Sequence, residues 1–310
     1  GRLAEEARAG FAAAAGAAGF LAWAAVAGLI ALISYEGAKT QLRDGAASML
    51  ASQVQLRGET IEHYFTDIAT DMEVLAEDPA VADSLTDLTN GWSALPGDKT
   101  AYLQDLYIDK NPNAEGKKDQ LLAAEGDTSA WTAAHQNIHP YFEKMKNTRG
   151  YYDMFLIDAA GNVVYTVYKE KDFATNLKSG PWAKTGLADA FQRAASSSDD
   201  KAVLSDFAKY APSGDAPAAF MAVRVNAPDG SLLGVLAVQL PIDQINKVVL
   251  DHTGLGKSGH LTMLGADRLR RSAAPEGEAG DILDPLPKAA AIDRAVAGET
   301  WIDQDGRGLD

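Results

Sequence analysis

Asp153-Met154-Phe155-Leu156-Ile157-Asp158, then Ala159-Ala160-Gly161-Asn162, then Val163-Val164-Tyr165-Thr166-Val167-Tyr168 is the stretch whose reading decides the fold. Two runs of β-branched, aromatic and aliphatic residues flank a short Gly-Asn turn, a composition that predicts an antiparallel hairpin. Three more strands are predicted downstream, at 202–207, 218–226 and 232–240, the last two joined by the turn Ala227-Pro228-Asp229-Gly230. Between the two groups, 172–193 reads as helix or loop around Gly180-Pro181-Trp182.

Working outward, two strands, a helical stretch and three antiparallel strands follow the order of a PAS-like sheet, so the predicted class is α+β. Upstream, 36–78 lacks proline, and Leu42, Ala46, Met49, Ile61, Phe65, Ile68, Met72 and Leu75 recur at helical spacing until Asp78-Pro79 ends the pattern. A helix of that length, at ~1.5 Å per residue, outruns one small domain. It predicts a stalk that meets a second copy, although Gly45 and Gly58 weaken an uninterrupted coiled coil. Residues 79–150 read as short amphipathic pieces, such as 101–110 and 129–138, between turns.

No formal charge lies between Arg8 and Glu36, a gap longer than the roughly 20 apolar residues that span a bilayer. A transmembrane helix is expected there, carried by Leu21, Trp23, Val26, Leu29, Ile30, Leu32 and Ile33, because 11–28 is mostly alanine and glycine. Arg2 and Arg8 balance Lys39 and Arg43, so flanking charge sets no orientation. The expected organisation is a tail and membrane helix at 1–35, a stalk at 36–80, a sheet lobe with a helical insert at 81–250, and the start of a second PAS-like lobe at 251–310. Both ends read as cut, with a strand beginning at 299–303.

The net charge of −15 argues against a nucleic-acid partner, and the absence of cysteine removes disulfides and thiolate chemistry. Gly254-Leu255-Gly256-Lys257-Ser258-Gly259 resembles part of a phosphate loop, but Asp251 sits where that loop needs its first glycine. His135 and His139 have metal-ligand spacing without a third ligand, so a solvent-facing or capping role is expected. Asp303-Gln304-Asp305-Gly306 echoes a calcium loop, but Trp301 fills the first ligand position. No catalytic residue, metal or cofactor is predicted, and the segment is not read as an enzyme.

A sensing pocket needs apolar walls and a few polar groups. Tyr165, Tyr168, Phe173, Trp182, Phe207, Tyr210 and Phe220 could supply the walls, and Lys169, Asp206 and Arg224 could grip a small polar ligand. Strand alternation puts Phe220, Ala222 and Arg224 on one side.

The ordered series 150–158, 167–177, 236–246 (Leu-Ala-Val-Gln-Leu-Pro-Ile-Asp-Gln-Ile-Asn) and 254–259 resembles the double Cache region of methyl-accepting chemotaxis receptors and related sensors. The resemblance implies a membrane-distal Cache lobe to about 250 and a proximal lobe from about 254. It also implies a homodimer in the bacterial inner membrane with its lobes in the periplasm, a small-molecule ligand, and cytoplasmic signalling partners. The amino-acid-binding branch carries an Arg-x-Trp-Tyr signature that is missing around Tyr151-Tyr152 and Gly180-Pro181-Trp182. Chemotaxis output is the first expectation, and a nucleotide cyclase or histidine kinase output the alternative. An anchored binding module without output is a third.

Overall fold

A single helix carries the chain into the fold. In the computed structural model, which describes residues 2–256, 259–277 and 279–299 apart from the side chains of 3–22, helix α1 (Arg2–Ala76) runs unbroken for 75 residues, about 110 Å at ~1.5 Å per residue. Its last turns enter the core through Ile68, Met72 and Leu75, whereas Leu42, Met49, Val54 and Leu56 lie exposed. The helical stripe predicted from the sequence is therefore divided. Its C-terminal half packs on the lobe, and its N-terminal half packs on nothing within the described chain.

Asp78 caps the next helix by accepting from Ala80 N at 2.9 Å, with Pro79 in the first helical position, where its missing N–H costs nothing. Helix α2 (Pro79–Ala94) lies against α4 (Ala130–Arg149), with α3 (Lys99–Gln104) and a π turn at Asp105–Asp109 between them. Ser129 caps α4 through Thr132 N, and Gly150 closes it in the left-handed conformation at φ 74°. The sequence reading ended this helix near Ile138. It instead continues through Pro140 for 20 residues, because Trp131, Ile138 and Phe142 bury one face against α2 and the sheet.

The sheet has five antiparallel strands in the order β2-β1-β7-β6-β3: β1 (Asp153–Asp158), β2 (Val163–Thr166), β3 (Val203–Leu204), β6 (Phe220–Asn226) and β7 (Leu232–Gln239). The predicted hairpin and three later strands are thus all present, the first of the three, at 202–207, shortened to two residues. A separate hairpin of β4 (Ala208–Tyr210) and β5 (Ala216–Ala218) was not predicted. Both faces of the sheet are covered. Met154, Leu156, Met221, Val223, Leu236 and Val238 face α1, α2 and α4, while Phe155, Ile157, Phe220, Ala222, Val235 and Ala237 face α5 (Gly186–Ser196) and the small hairpin. This two-sided burial explains why the strands read as continuous apolar runs.

After α6 (Ile242–Val249) the described residues to 299 carry isolated bridges, Leu264 with Arg270 and Leu269 with Pro285, and helix α7 (Ala290–Val296). They lean on the sheet lobe, with Leu261, Met263 and Leu283 against its core. Apart from Glu299, the strand expected at 299–303 lies outside the described residues, as does the calcium-like turn at 303–306.

The membrane expectation is not supported. Among the described residues no helix is long and apolar enough to cross a membrane. The alanines and glycines of 11–28 extend the helix but contribute little free energy of transfer to lipid, so an uncharged gap of sufficient length does not by itself make a span.

Candidate functional site

The strand ends nearest the α5 face carry polar residues where the pattern calls for apolar ones. Asp153 opens β1 directly opposite Gln239 at the end of β7, and Gln239 in turn lies opposite Phe220. Alternation puts these side chains on the same face as Phe155, Ala237 and Phe220. The segment after β2 reaches them through the Val167 and Tyr168 N–H groups and Asp172, and the β4–β5 hairpin joins through Tyr210.

Each polar group is held by specific bonds. Oδ1 of Asp153 accepts from the backbone N–H groups of Met154, Val167 and Tyr168 at 2.7, 3.0 and 2.9 Å. Tyr210 donates its hydroxyl to Oδ2 of Asp172 at 2.5 Å. Glu170 accepts from Tyr152 Oη at 2.9 Å and from Ser213 Oγ, and Gln239 Nε2 lies 3.4 Å from the same Ser213 oxygen. Three atoms are buried without a partner: Oδ2 of Asp153, Oδ1 of Asp172 and Oε1 of Gln239. Leaving such atoms unpaired costs roughly 1–3 kcal/mol each, more for charged groups.

The carboxyls respond to burial. Asp172, fully buried, is pushed up to about 7 by desolvation, partly offset by the Tyr210 hydrogen bond. Desolvation, reinforced by the Asp172 charge, raises Asp153 well above the carboxylate range, and desolvation also raises Glu170. Lys169 moves the other way, down to about 7, because burial of its ammonium outweighs the pull of Asp153.

The backbone of the covering segment is strained. Lys169 and Ala174 both sit at φ 62°, a left-handed conformation uncommon for residues with a Cβ and held only where the surroundings impose it. Here hydrogen bonds impose it. Lys169 N–H donates to Thr166 Oγ1 at 2.9 Å, and Ala174 N–H donates to Val163 O at 3.1 Å.

The residues predicted for the pocket do not come together in one place. Lys169, Tyr165 and Phe173 meet, with the ammonium 4.8 Å from the Tyr165 ring and 5.5 Å from that of Phe173, while its N–H groups reach the Thr166 and Val167 carbonyls. Tyr210 and Phe220 meet across the polar cluster, ring centroids 4.8 Å apart, and Tyr168 stacks near Tyr152 at 5.0 Å. Trp182 donates its indole N–H to Lys171 O, and Phe207 is buried in the core on the α1 side of the sheet.

Asp206 and Arg224 are not with them. Asp206 is exposed and takes a bidentate pair from Arg271 at 2.8 and 2.6 Å, tying the sheet lobe to the following segment. Arg224 bonds Ser197 O and Asn226 and lines an open cleft of about 500 Å³ with Glu73, Glu77, Asp83 and Asp200. Three charges on one ligand, as the sequence suggested, would need groups that the fold holds apart.

The sequence reading missed Tyr152, Asp153, Glu170, Asp172, Ser213 and Gln239. An acid at the first inward position of an apolar strand and an amide at the last inward position of another were the available signals. The histidine expectation also fails. His135 and His139 are buried and stacked 4.4 Å apart, and His139 bridges Tyr165 Oη and Asp119 O. Burial, with Lys169 nearby, lowers His139 to about 3 and His135 well below its usual value, so both stay neutral.

No family model matches the chain, and no curated protein matches it in sequence. Among solved structures it is similar to the sensor domain of the Vibrio cholerae histidine kinase DctB (16% identity, 65% of this chain, 58% of that one, TM-score 0.42). It is similar as well to the extracellular domain of the putative histidine kinase vpHK1S-Z8 (11%, 76% and 70%, 0.45). A third is the ligand-binding domain of the Pseudomonas fluorescens chemoreceptor CtaA in complex with L-serine (15%, 74% and 77%, 0.32). The chain thus spans under two thirds of the DctB domain's length. At these TM-scores the likeness assigns no ligand to this chain.

Proposed function

We propose that this chain is the extracytoplasmic ligand-sensing region of a transmembrane receptor, with a small molecule bound between the α5 face of the sheet and the 167–176 segment. The observation that carries the reading is the group of buried, unpartnered acceptors on Asp153, Asp172 and Gln239. A purely structural core has no reason to retain them, since apolar side chains of similar size would remove their desolvation cost.

Binding has a route outward. The site lies on one face of β1, β6 and β7, and the same strands pack α1 on the other through Met221, Val223 and the Ile68–Met72–Leu75 stripe. A ligand that favours one arrangement of the 167–176 segment therefore biases the seating of a helix about 110 Å long. The exposed Leu42, Met49 and Leu56 would pair α1 with that of a second copy. Attachment of the early part of α1 to the inner membrane, with the lobes in the periplasm and 251–310 opening a second lobe, belongs to this proposal. Chemotaxis is the output in this reading, and a histidine kinase or cyclase output would use the same lobe.

A thermal-shift screen of small amines, amino acids and organic acids against the 310-residue chain tests the site. A true ligand raises the melting point, by ~2.7 kcal/mol of stabilisation at a hundredfold excess over Kd. It should lose that effect in Asp172→Asn and keep it in Arg224→Ala. The reverse pattern would move the site to the Arg224 cleft and end this reading.

A further inference from the structure

We infer that the site takes a small organic ammonium ion with an apolar body, its N–H groups directed at Asp153, Asp172 and Gln239; the inference rests on the ligand-sensing reading above. The donor and acceptor inventory points one way. All three unpartnered atoms in the cluster are oxygens, and each is an acceptor once the two carboxyls are ionised. What complements them must donate in three directions, which an ammonium does and a hydroxyl or a single amide N–H does not.

Charge points the same way. Asp153, Glu170 and Asp172 supply three carboxyls, and Lys169 is the cation felt by Asp153. That ammonium is committed elsewhere, to the Thr166 and Val167 carbonyls and to the rings of Tyr165 and Phe173. A metal ion is a poorer complement, because among the described residues no three acids or histidines converge closely enough to hold one.

The walls suit an amine with an apolar part. Tyr210, whose hydroxyl is on Asp172, meets Phe220 at 4.8 Å, and Phe220 meets Phe155 at 6.1 Å. The ring faces add a cation–π attraction to the carboxyl contacts. Both Glu170 oxygens already accept a hydrogen bond, from Tyr152 and Ser213, so Glu170 shapes the field without needing the ligand's donors.

Protonation gives the inference a signature. Asp172 titrates near 7, with Glu170 on its own segment, Asp153 on β1, and the Tyr210 hydroxyl from β4 around it. A cation beside it favours the ionised carboxylate, so binding near pH 6.5 should expel a proton. Affinity should then rise between pH 6 and 8.

Calorimetric titration of the 310-residue chain with ethanolamine, putrescine, isobutylamine and phenethylamine, each beside its matched alcohol and carboxylate, decides the matter. The expected result is that at least one amine binds ten times more tightly than both its analogues and releases a proton, seen as a buffer-dependent heat. It should weaken at least tenfold in Asp172→Asn and in Gln239→Leu. The folding of both variants is verified by their unliganded melting curves, and Gln239→Leu serves if Asp172→Asn does not fold. If alcohols or carboxylates bind as well as the amines and still depend on Asp172, the ammonium assignment is wrong and the sensing site stands. If nothing binds, or if binding ignores both substitutions, the site itself is wrong.

Discussion

The hydroxyl of Tyr210 donates to Oδ2 of Asp172 across 38 residues of sequence, at 2.5 Å and out of reach of solvent. This bond locks the β4–β5 hairpin onto the 167–176 segment and leaves the other Asp172 oxygen unpartnered. The same carboxyl thus closes the site and exposes an acceptor to it.

Asp172 should make the unliganded protein less stable as pH rises. Its folded pKa, about 7, lies above the unfolded value near 3.8. Its contribution is therefore fully present below pH 4 and is lost as pH climbs through 7. Relative to wild type, Asp172→Asn should gain stability from pH 4.5 to 8, on the order of a few kcal/mol at the upper end. Urea denaturation at both pH values checks it, and a pH-independent difference would contradict it.

His139 carries the opposite sign in an overlapping window, so only differences between variants are informative. Burial depresses it to about 3 from an ordinary 6.5, and its contribution is present above 6.5 and lost as pH falls toward 3. Between pH 7 and 4.5 the wild type should lose about 2–3 kcal/mol more than His139→Gln. Equal losses in the two proteins would show that the ring is solvated or charged in the fold.

Gly91 marks the closest approach of α2 to α4. A Cβ there would lie 2.6 Å from both the Cα and the N of Trp131, backbone atoms that cannot swing aside. Gly91→Ala should cost about 1–3 kcal/mol despite alanine's better helix propensity. Urea midpoints would show this, and a neutral or stabilising effect would mean that the two helices sit farther apart.

Arg57 joins α1 to the segment after α6. Its buried guanidinium donates to Asp251 O and Thr253 O, the latter at 2.9 Å, and the loop presses so close that a Cβ on Gly254 would meet Gln53 at 2.7 Å. Arg57→Met keeps most of the volume and removes the donors. Amide exchange at residues 250–256 should accelerate at least tenfold while β1 and β7 stay protected. Unchanged exchange there would show that the arginine holds nothing in place.

The sheet was legible because its strands are buried on both faces, and an unbroken run such as Met154-Phe155-Leu156-Ile157 admits little else. The C-terminal half of the stalk was legible for a similar reason, since Ile68, Met72 and Leu75 keep a helical period. The β4–β5 hairpin was not, because Pro212, Ser213, Gly214 and Pro217 read as loop, and only the Tyr210–Asp172 bond and packing on Phe220 fix them as paired strands. Helix α4 reads as ending at Ile138, two residues before Pro140, but burial of Phe142 and Lys146 carries it through the proline to Arg149. The proposed site was partly legible. Tyr210 and Phe220 came from aromatic content, whereas Asp153 and Gln239 become neighbours only through the β1–β7 register. Arg224 and Asp206 looked equivalent to Lys169 in sequence, but the fold places Arg224 in the cleft beside Glu73 and Asp200 and pairs Asp206 with Arg271.

Hydrogen–deuterium exchange of the 310-residue chain with and without a bound amine tests the central claim most directly. Protection should increase at 166–176 and 205–218, the two segments that close over Asp153, Asp172 and Gln239, with a smaller change along α1 from 57 to 76. Protection confined to 73–86 and 224–233, around the Arg224 cleft, would contradict the account.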